Sequence, residues 1–97
     1  MVKEVNSVKE ITDNSFVIKY GQEFCIPCEM TENNLKALES DFNIPFYSTK
    51  NVDESIEKGF KALPVIELHK NGEVITLNDN SIMMNQSELK GWLETNA

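Results

Sequence analysis

Two cysteines separated by two residues are the part of this sequence best suited to chemistry. They occur in Cys25-Ile26-Pro27-Cys28, at the start of a helical pattern that runs from about Cys25 to Phe42. The unpaired N–H groups and the dipole of a helix N-terminus place positive charge beside the first sulfur, which favours thiolate over thiol. Because the thiolate is the attacking species, Cys25 is predicted to be a nucleophile in disulfide exchange.

The period of the same helix predicts a second role for Cys28. The inward positions follow one another at alternating steps of three and four residues: Cys28, Thr31, Leu35, Leu38 and Phe42. A buried Cys28 is placed to displace a reduced substrate from Cys25 and to leave a Cys25–Cys28 bond. Pro27 suits the first turn, because its fixed φ is favourable there and its missing N–H is not needed.

A purely structural role and a metal-binding role both suit the cysteine pair less well than redox chemistry does. Free cysteines are often buried as small hydrophobic residues. Tetrahedral zinc normally takes four protein ligands, whereas this chain offers two cysteines and one histidine, His69, in a predicted hairpin turn. We therefore predict no metal site and no cofactor, and the position of the pair in a βαβ pattern favours redox chemistry.

Length and charge limit the classes of function. The 97 residues predict one domain, residues 1–97. With no apolar secretory signal and no run long enough to span a bilayer, we expect a cytoplasmic monomer. A net charge of −7 repels phosphate backbones and anionic lipid, so neither nucleic acid nor a membrane is predicted as a partner. Stable disulfides are unusual in the cytoplasm, which favours reactive cysteines.

Turn residues divide the chain into short strands and helices of alternating type. The predicted strands cover residues 2–5, 15–20, 44–49, 65–68 and 73–77. Asn71-Gly72 between the last two predicts a hairpin. The resulting order, β-α-β-α-β-α-β-β-α, predicts an α/β protein whose mixed sheet has helices on both faces.

The predicted helices begin at polar capping residues. Ser7, Asn51 and Asn85 are each followed three residues later by glutamate, which is the spacing of a capping box. Apolar stripes then predict which residues face the core. They are Val5, Val8 and Ile11; Val52, Ile56 and Phe60; and Leu89, Trp92 and Leu93.

Three segments resemble one family. Residues 24–28, Phe-Cys-Ile-Pro-Cys, resemble the Trp-Cys-Gly-Pro-Cys of thioredoxins, and Leu63-Pro64 resembles the apolar residue and cis-proline of that family. Residues 68–73 are similar to its Phe-Lys-Asn-Gly-Glu hairpin. The spacing from the cysteines to Pro64 also matches, so nearly the whole chain resembles the thioredoxin-like family, within the thioredoxin/glutaredoxin superfamily.

The resemblance implies the thioredoxin fold and the reduction of protein disulfides. It implies that Pro64 is cis and lies against the sulfurs, and that the backbone of Leu63 pairs with an extended substrate segment. The partners would be disulfide-containing proteins and a thioredoxin-type reductase. The implied substrate-binding residues are Phe24, Ile26, Pro27, Leu63 and Pro64.

Departures from the family concern charge. Lys19 occupies the position of a buried aspartate in thioredoxins, and we hypothesise that it pairs with Glu67, because buried charges need partners. Glu29 stands where thioredoxins often have lysine, and Glu23 is close in sequence. Both carboxylates are expected to raise the pKa of Cys25 relative to a typical member.

Two alternatives remain open. One is a glutaredoxin-like electron donor, including the kind that serves ribonucleotide reductase. The loop at residues 78–81, Asn-Asp-Asn-Ser, lacks the Gly-Gly pair of that family, and the chain lacks its basic surface. The other is a non-catalytic binding module with incidental cysteines, whose apolar contact patch would consist of Phe24, Ile26, Leu63, Met83 and Met84.

Overall fold

The computed structural model describes residues 1–97, and its five strands form one mixed sheet. The strands are β1 (Lys3–Glu4), β2 (Ser15–Tyr20), β3 (Phe46–Thr49), β4 (Val65–Lys70) and β5 (Glu73–Leu77). Their order across the sheet is β1-β3-β2-β4-β5. The first three are parallel, β4 runs antiparallel to β2, and β5 runs antiparallel to β4. The predicted α/β class and the mixed sheet are confirmed.

Four α-helices and two short 3₁₀ turns connect and flank the strands. The helices are α1 (Ile26–Leu38), α2 (Val52–Glu57), α3 (Asn80–Met83) and α4 (Gln86–Asn96). The predicted first helix is only a 3₁₀ turn at Val8–Glu10, and the long helix changes to a 3₁₀ turn at Glu39–Asp41. Helix α3 was not predicted from the sequence. No helix combines the length and the apolar character needed to cross a membrane.

Helices α1, α3 and α4 cover one face of the sheet. As the helical period predicts, α1 buries its residues at positions 28, 31, 35 and 38. Leu89 and Leu93 of α4 are fully buried in the same core, and Trp92 packs against it while partly exposed. This packing fixes the axis of α1 relative to the strands, so that its first turn lies beyond the end of β2.

The opposite face packs against the N-terminal segment and the region around α2. Its core consists of Val5, Phe16, Ile18, Tyr20 and Val65, with Val8, Ile11 and Phe60 packed against it. Helices therefore cover both faces of the sheet, as the element order predicts.

The predicted apolar stripe of α2 is wrong for two of its three residues. Val52 and Ile56 are exposed, whereas Glu54 is buried. The carboxylate of Glu54 accepts hydrogen bonds from the hydroxyl of Ser7 and from the N–H of Val8. These long-range bonds turn the polar side of α2 towards the protein, because a buried carboxylate must keep its partners.

The predicted pairing of Lys19 with Glu67 is also wrong. Lys19 lies opposite Ile66 in the antiparallel register, and Glu67 lies opposite Ile18. Consecutive strand residues point to opposite faces of a sheet, so Lys19 and Glu67 are separated by the sheet itself.

Glu67 instead forms the centre of a polar network on the second face. It accepts a hydrogen bond from the hydroxyl of Tyr20 at 2.9 Å, lies 3.3 Å from the ammonium of Lys58 and is 2.8 Å from Nε2 of His69. His69 belongs to β4 rather than to the predicted turn, and its ring stacks on Phe16 with centroids 4.2 Å apart. The buried carboxylate is therefore fully partnered.

This network predicts how stability depends on alkaline pH. Burial and the Glu67 carboxylate raise the pKa of Tyr20 well above its usual value of 10.0. Because the folded chain keeps this proton where the unfolded chain loses it, the free energy of unfolding should fall above about pH 10. The Tyr20→Phe variant should lose about 1 kcal/mol at neutral pH with its hydrogen bond, yet lose less further stability on alkalinisation. Urea unfolding of both proteins from neutral to alkaline pH measures the free energy of unfolding. Parallel pH profiles for the two proteins would contradict the prediction.

Candidate active site

The cysteine pair lies at the N-terminus of α1, as predicted. Cys25 is the capping residue, with extended backbone at φ −122° and ψ 103°. Its Sγ accepts a hydrogen bond from the N–H of Cys28 at 3.2 Å, and its carbonyl accepts one from the N–H of Glu29 at 3.1 Å. A disulfide joins Cys25 to Cys28. Pro27 lies in the first turn, where a missing N–H costs no helical hydrogen bond.

The two sulfurs differ in exposure. Cys25 is half-buried at the helix tip, whereas Cys28 is only 2% exposed and faces the core side of α1. Only the sulfur of Cys25 is therefore accessible for reaction with another molecule. This difference supports the predicted order of reaction, with Cys25 first and Cys28 second.

Two apolar side chains project into solvent on either side of Cys25. Phe24 is completely exposed and Ile26 is 70% exposed. The backbone of Phe24 has φ of 55°, a left-handed conformation that costs a bulky residue on the order of 1–3 kcal/mol. Neither this backbone strain nor the exposure of the aromatic ring to water stabilises the fold. Phe24 and Ile26 are available to a partner, and their binding role stays a prediction.

The Leu63–Pro64 peptide bond is cis, as the resemblance implies. Pro64 is buried directly before β4, and Leu63 is half-buried against the second core. Neither the N–H nor the carbonyl of Leu63 forms a hydrogen bond within the chain. The contact of Pro64 with the sulfurs and the pairing of Leu63 with a substrate stay predictions.

Lys19 lies beneath the cysteine pair, at the end of β2. It is 2% exposed, and its ammonium donates to Oε1 of Glu32 at 2.8 Å and to the carbonyl of Cys28 at 3.4 Å. Gly21 leaves the space that these groups need. A Cβ added there would lie 3.2 Å from Nζ of Lys19 and 3.3 Å from Cβ of Cys28. The lysine and the second cysteine are thus immediate neighbours.

Glu32 is the site residue that sequence reasoning missed. Partial burial opposes ionisation, but the hydrogen bond and charge of Lys19, aided by Ser48 and Lys36, hold the pKa of Glu32 below its usual value. Its spacing from Cys28 could have identified it. Glu32 follows Cys28 by four residues and so lies one turn further along the same side of α1.

The predicted pKa-tuning glutamates are both at the surface. Glu23 is 3.5 Å from the ammonium of Lys50, and Glu29 is exposed in the first turn of α1. Their effect on the pKa of Cys25 stays a prediction. A cleft of about 290 Å³ opens beside Cys28 between these groups. Its lining residues are Lys19, Gln22, Glu23, Phe24, Cys28, Glu29, Glu32, Asn33, Lys36 and Lys50.

The apolar patch of the binding-module alternative is smaller than predicted. Met83 is fully buried in the core between α1, α4 and the sheet, so it cannot contact a partner. Met84 is half-buried at the end of α3. Nearby, the side chain of Asp79 caps α3 by accepting a hydrogen bond from the N–H of Ser81 at 2.9 Å.

Comparison with known proteins identifies the fold. No protein-family model matches the sequence, and no curated protein does. Among solved structures, the chain is similar to the thioredoxin of Malassezia sympodialis, with 27% identity and a TM-score of 0.72 over 98% of this chain and 90% of that one.

Two oxidised thioredoxins are also similar to this chain. The first is mitochondrial thioredoxin 3 of Saccharomyces cerevisiae, with 19% identity, a TM-score of 0.73 and coverage of 97% and 94%. The second is thioredoxin from Plasmodium falciparum, with 20% identity, a TM-score of 0.77 and coverage of 100% and 99%. The chain has the thioredoxin fold, and the Cys25–Cys28 disulfide lies at the N-terminus of α1 within it.

The difference in exposure predicts selective alkylation of the reduced protein. At neutral pH, iodoacetamide should modify Cys25 at least about tenfold faster than Cys28, because thiolate formation and access both favour the helix tip. Peptide mapping by mass spectrometry after timed quenching measures the two rates. Equal rates, or faster modification of Cys28, would contradict the assigned roles.

The acidic first turn predicts a shift in the reactivity of Cys25. Removing the charge in Glu29→Gln should lower the pKa of the Cys25 thiol by a few tenths of a unit, because solvent screens an exposed carboxylate. The pH dependence of Cys25 alkylation gives the value. Glu57→Gln, an exposed change in α2, is the control and should leave it unchanged; a rise in the Glu29 variant would refute the prediction.

Proposed function

We propose that the chain is a thiol–disulfide oxidoreductase that reduces disulfides in other proteins. The observation that supports this most directly is the bond between a half-exposed cysteine at a helix N-terminus and a buried cysteine one turn later. The two Cα atoms are 5.2 Å apart, within the usual range for a disulfide, so a dithiol at this backbone geometry could close to a disulfide and reopen.

The reaction has two exchange steps. In the reduced protein, the thiolate of Cys25 attacks one sulfur of the substrate disulfide and forms a mixed disulfide, and the other substrate sulfur leaves as a thiolate. Cys28, after losing its proton, then attacks Sγ of Cys25. The Cys25–Cys28 bond forms, the bond to the substrate breaks, and the second substrate sulfur leaves and takes up a proton. Two electrons pass from the protein to the substrate.

Substrate recognition is proposed to use backbone and apolar groups around Cys25. The free N–H and carbonyl of Leu63 would pair with an extended segment beside the substrate disulfide, in the manner of an added strand. The exposed side chains of Phe24 and Ile26 would contact apolar residues of that segment. Pro27 and Pro64 would shape the contact surface without competing for its hydrogen bonds, because proline has no N–H.

The same proposal includes the cellular role. A reductase of the thioredoxin type would return the disulfide to the dithiol, and the protein would act as a monomeric electron carrier in cytoplasmic redox homeostasis. The acidic composition supports this recycling over a glutathione-dependent route, since glutaredoxin-like sites use basic residues for glutathione. Direct supply of electrons to ribonucleotide reductase is the second candidate within the same chemistry.

Reduction of insulin disulfides tests the proposed activity. The wild-type protein should accelerate reduction by dithiothreitol, and Cys25→Ser should abolish the acceleration because the nucleophile is gone. Cys28→Ser should instead accumulate a mixed disulfide through Cys25, seen by non-reducing electrophoresis and mass spectrometry. Turnover with a thioredoxin reductase, compared with glutathione and glutathione reductase, identifies the recycling system.

A double replacement of Cys25 and Cys28 by serine is the control for the binding-module alternative. If a partner isolated with the wild-type protein still binds the double variant, and neither reductase supports insulin reduction, the chain is a binding module. Loss of disulfide reduction in Cys25→Ser with unchanged folding supports the oxidoreductase.

A further inference from the structure

The buried ammonium of Lys19 is the charged group most closely associated with Cys28. It bonds to the carbonyl of that residue, and both groups surround the space left by Gly21. A contribution to stability does not by itself account for it, because replacing both members of a buried ion pair by apolar side chains of similar volume is often neutral or stabilising. A charge kept at this depth acts instead on the group next to it.

We propose that Lys19 is a positioning residue that stabilises the thiolate of Cys28 in the resolving step, and that Glu32 limits this effect. The proposal rests on the proposed function, since Cys28 needs to ionise only if it resolves a mixed disulfide. Burial at 2% exposure disfavours a thiolate, and the ammonium bonded to the carbonyl of the same residue offsets part of that penalty. No carboxylate base is required.

The step that Lys19 assists is balanced without another reactant. The thiol of Cys28 releases its proton to water in the adjacent cleft, and the resulting anion attacks Sγ of Cys25 in the mixed disulfide. The bond between Cys25 and the substrate breaks, its electron pair leaves on the substrate sulfur, and that sulfur takes a proton from water. Lys19 remains an ammonium throughout.

The other charges of the cleft are weaker competitors. Its charged lining residues are Lys19, Lys36, Lys50, Glu23, Glu29 and Glu32. The side chain of Lys19 is 3% exposed, that of Glu32 is 25% exposed, and the remaining four are more open to solvent. Screening by water reduces the effect of an exposed charge, so the buried ammonium and its carboxylate partner dominate the potential at Cys28.

The test measures Cys28 alone, in a Cys25→Ser background, by ultraviolet titration of its thiolate. Lys19→Met should raise the pKa of Cys28 by about one unit or more, because the stabilising charge is lost. Glu32→Gln should lower that pKa, because the ammonium then lacks its neutralising carboxylate. Lys19→Gln should behave like Lys19→Met, since it keeps a hydrogen-bond donor without the charge. Urea unfolding confirms that each variant is folded.

Lys36→Met is the matched control. Lys36 is also close to Glu32, at 3.5 Å, but its side chain is 55% exposed, and its removal should change the pKa of Cys28 little. Shifts of opposite sign at positions 19 and 32 support the inference. Shifts of the same sign, or no shift in Lys19→Met, overturn it. An ion pair with only a structural role would not move the pKa of Cys28 in opposite directions in the two variants.

A kinetic measurement in the protein with both cysteines extends the test. Lys19→Met should slow the resolving step at neutral pH about threefold for each unit of pKa, since the tenfold loss of thiolate is partly offset by greater nucleophilicity. The attack of Cys25 on substrate should change less. Wild-type insulin reduction with no effect of position 19 would remove only this inference, whereas absence of all reduction would remove the proposed function.

Discussion

The first turn of α1 is the constraint on which the site depends. Its unpaired N–H groups supply positive potential at one point in space, and Cys25 must be the capping residue for its sulfur to lie there. The core holds this turn in place, because Leu35 and Leu38 are buried against the sheet and fix the direction of the helix. The packing of α1 on the sheet thus determines where the site lies, at the N-terminus of the helix.

Strand β2 separates two buried polar groups that are adjacent in sequence. Lys19 points to the face covered by α1, and Tyr20 points to the opposite face, where it contacts Glu67. Because the sheet lies between them, the two networks cannot exchange partners. Glu67 has three partners and no path to the sulfurs, so it serves the fold. Lys19 has the carbonyl of Cys28 among its partners, so its charge lies beside the cysteine pair.

Local features of the sequence predicted more than long-range ones. The cap at Cys25, the inward face of α1 and the turn at Asn71 depend on residues within a few positions of each other, and the structure has all three. The face of α2 depends on bonds from Glu54 to residues 46 and 47 positions away, which periodicity cannot show. Excluding Glu67 as the partner of Lys19 required the register between β2 and β4, and finding Glu32 required the packing of α1 on the sheet. The sequence alone predicted that Lys19 is a buried charge, but it did not show which face of the sheet the side chain lies on.

The two cysteines are governed by different parts of the molecule. The potential at Cys25 comes chiefly from the backbone of α1, which remains whatever side chains are present, while exposed glutamates are screened by solvent. At Cys28, by the inference above, the charges of Lys19 and Glu32 add to the potential of the helix N-terminus, and single substitutions can remove them. Evolution or design could therefore change the resolving step while leaving the nucleophilic step nearly intact. A lysine where the resemblance to thioredoxins implies an aspartate is physically reasonable, because stabilising an anion with a nearby cation promotes the same ionisation as removing its proton with a base.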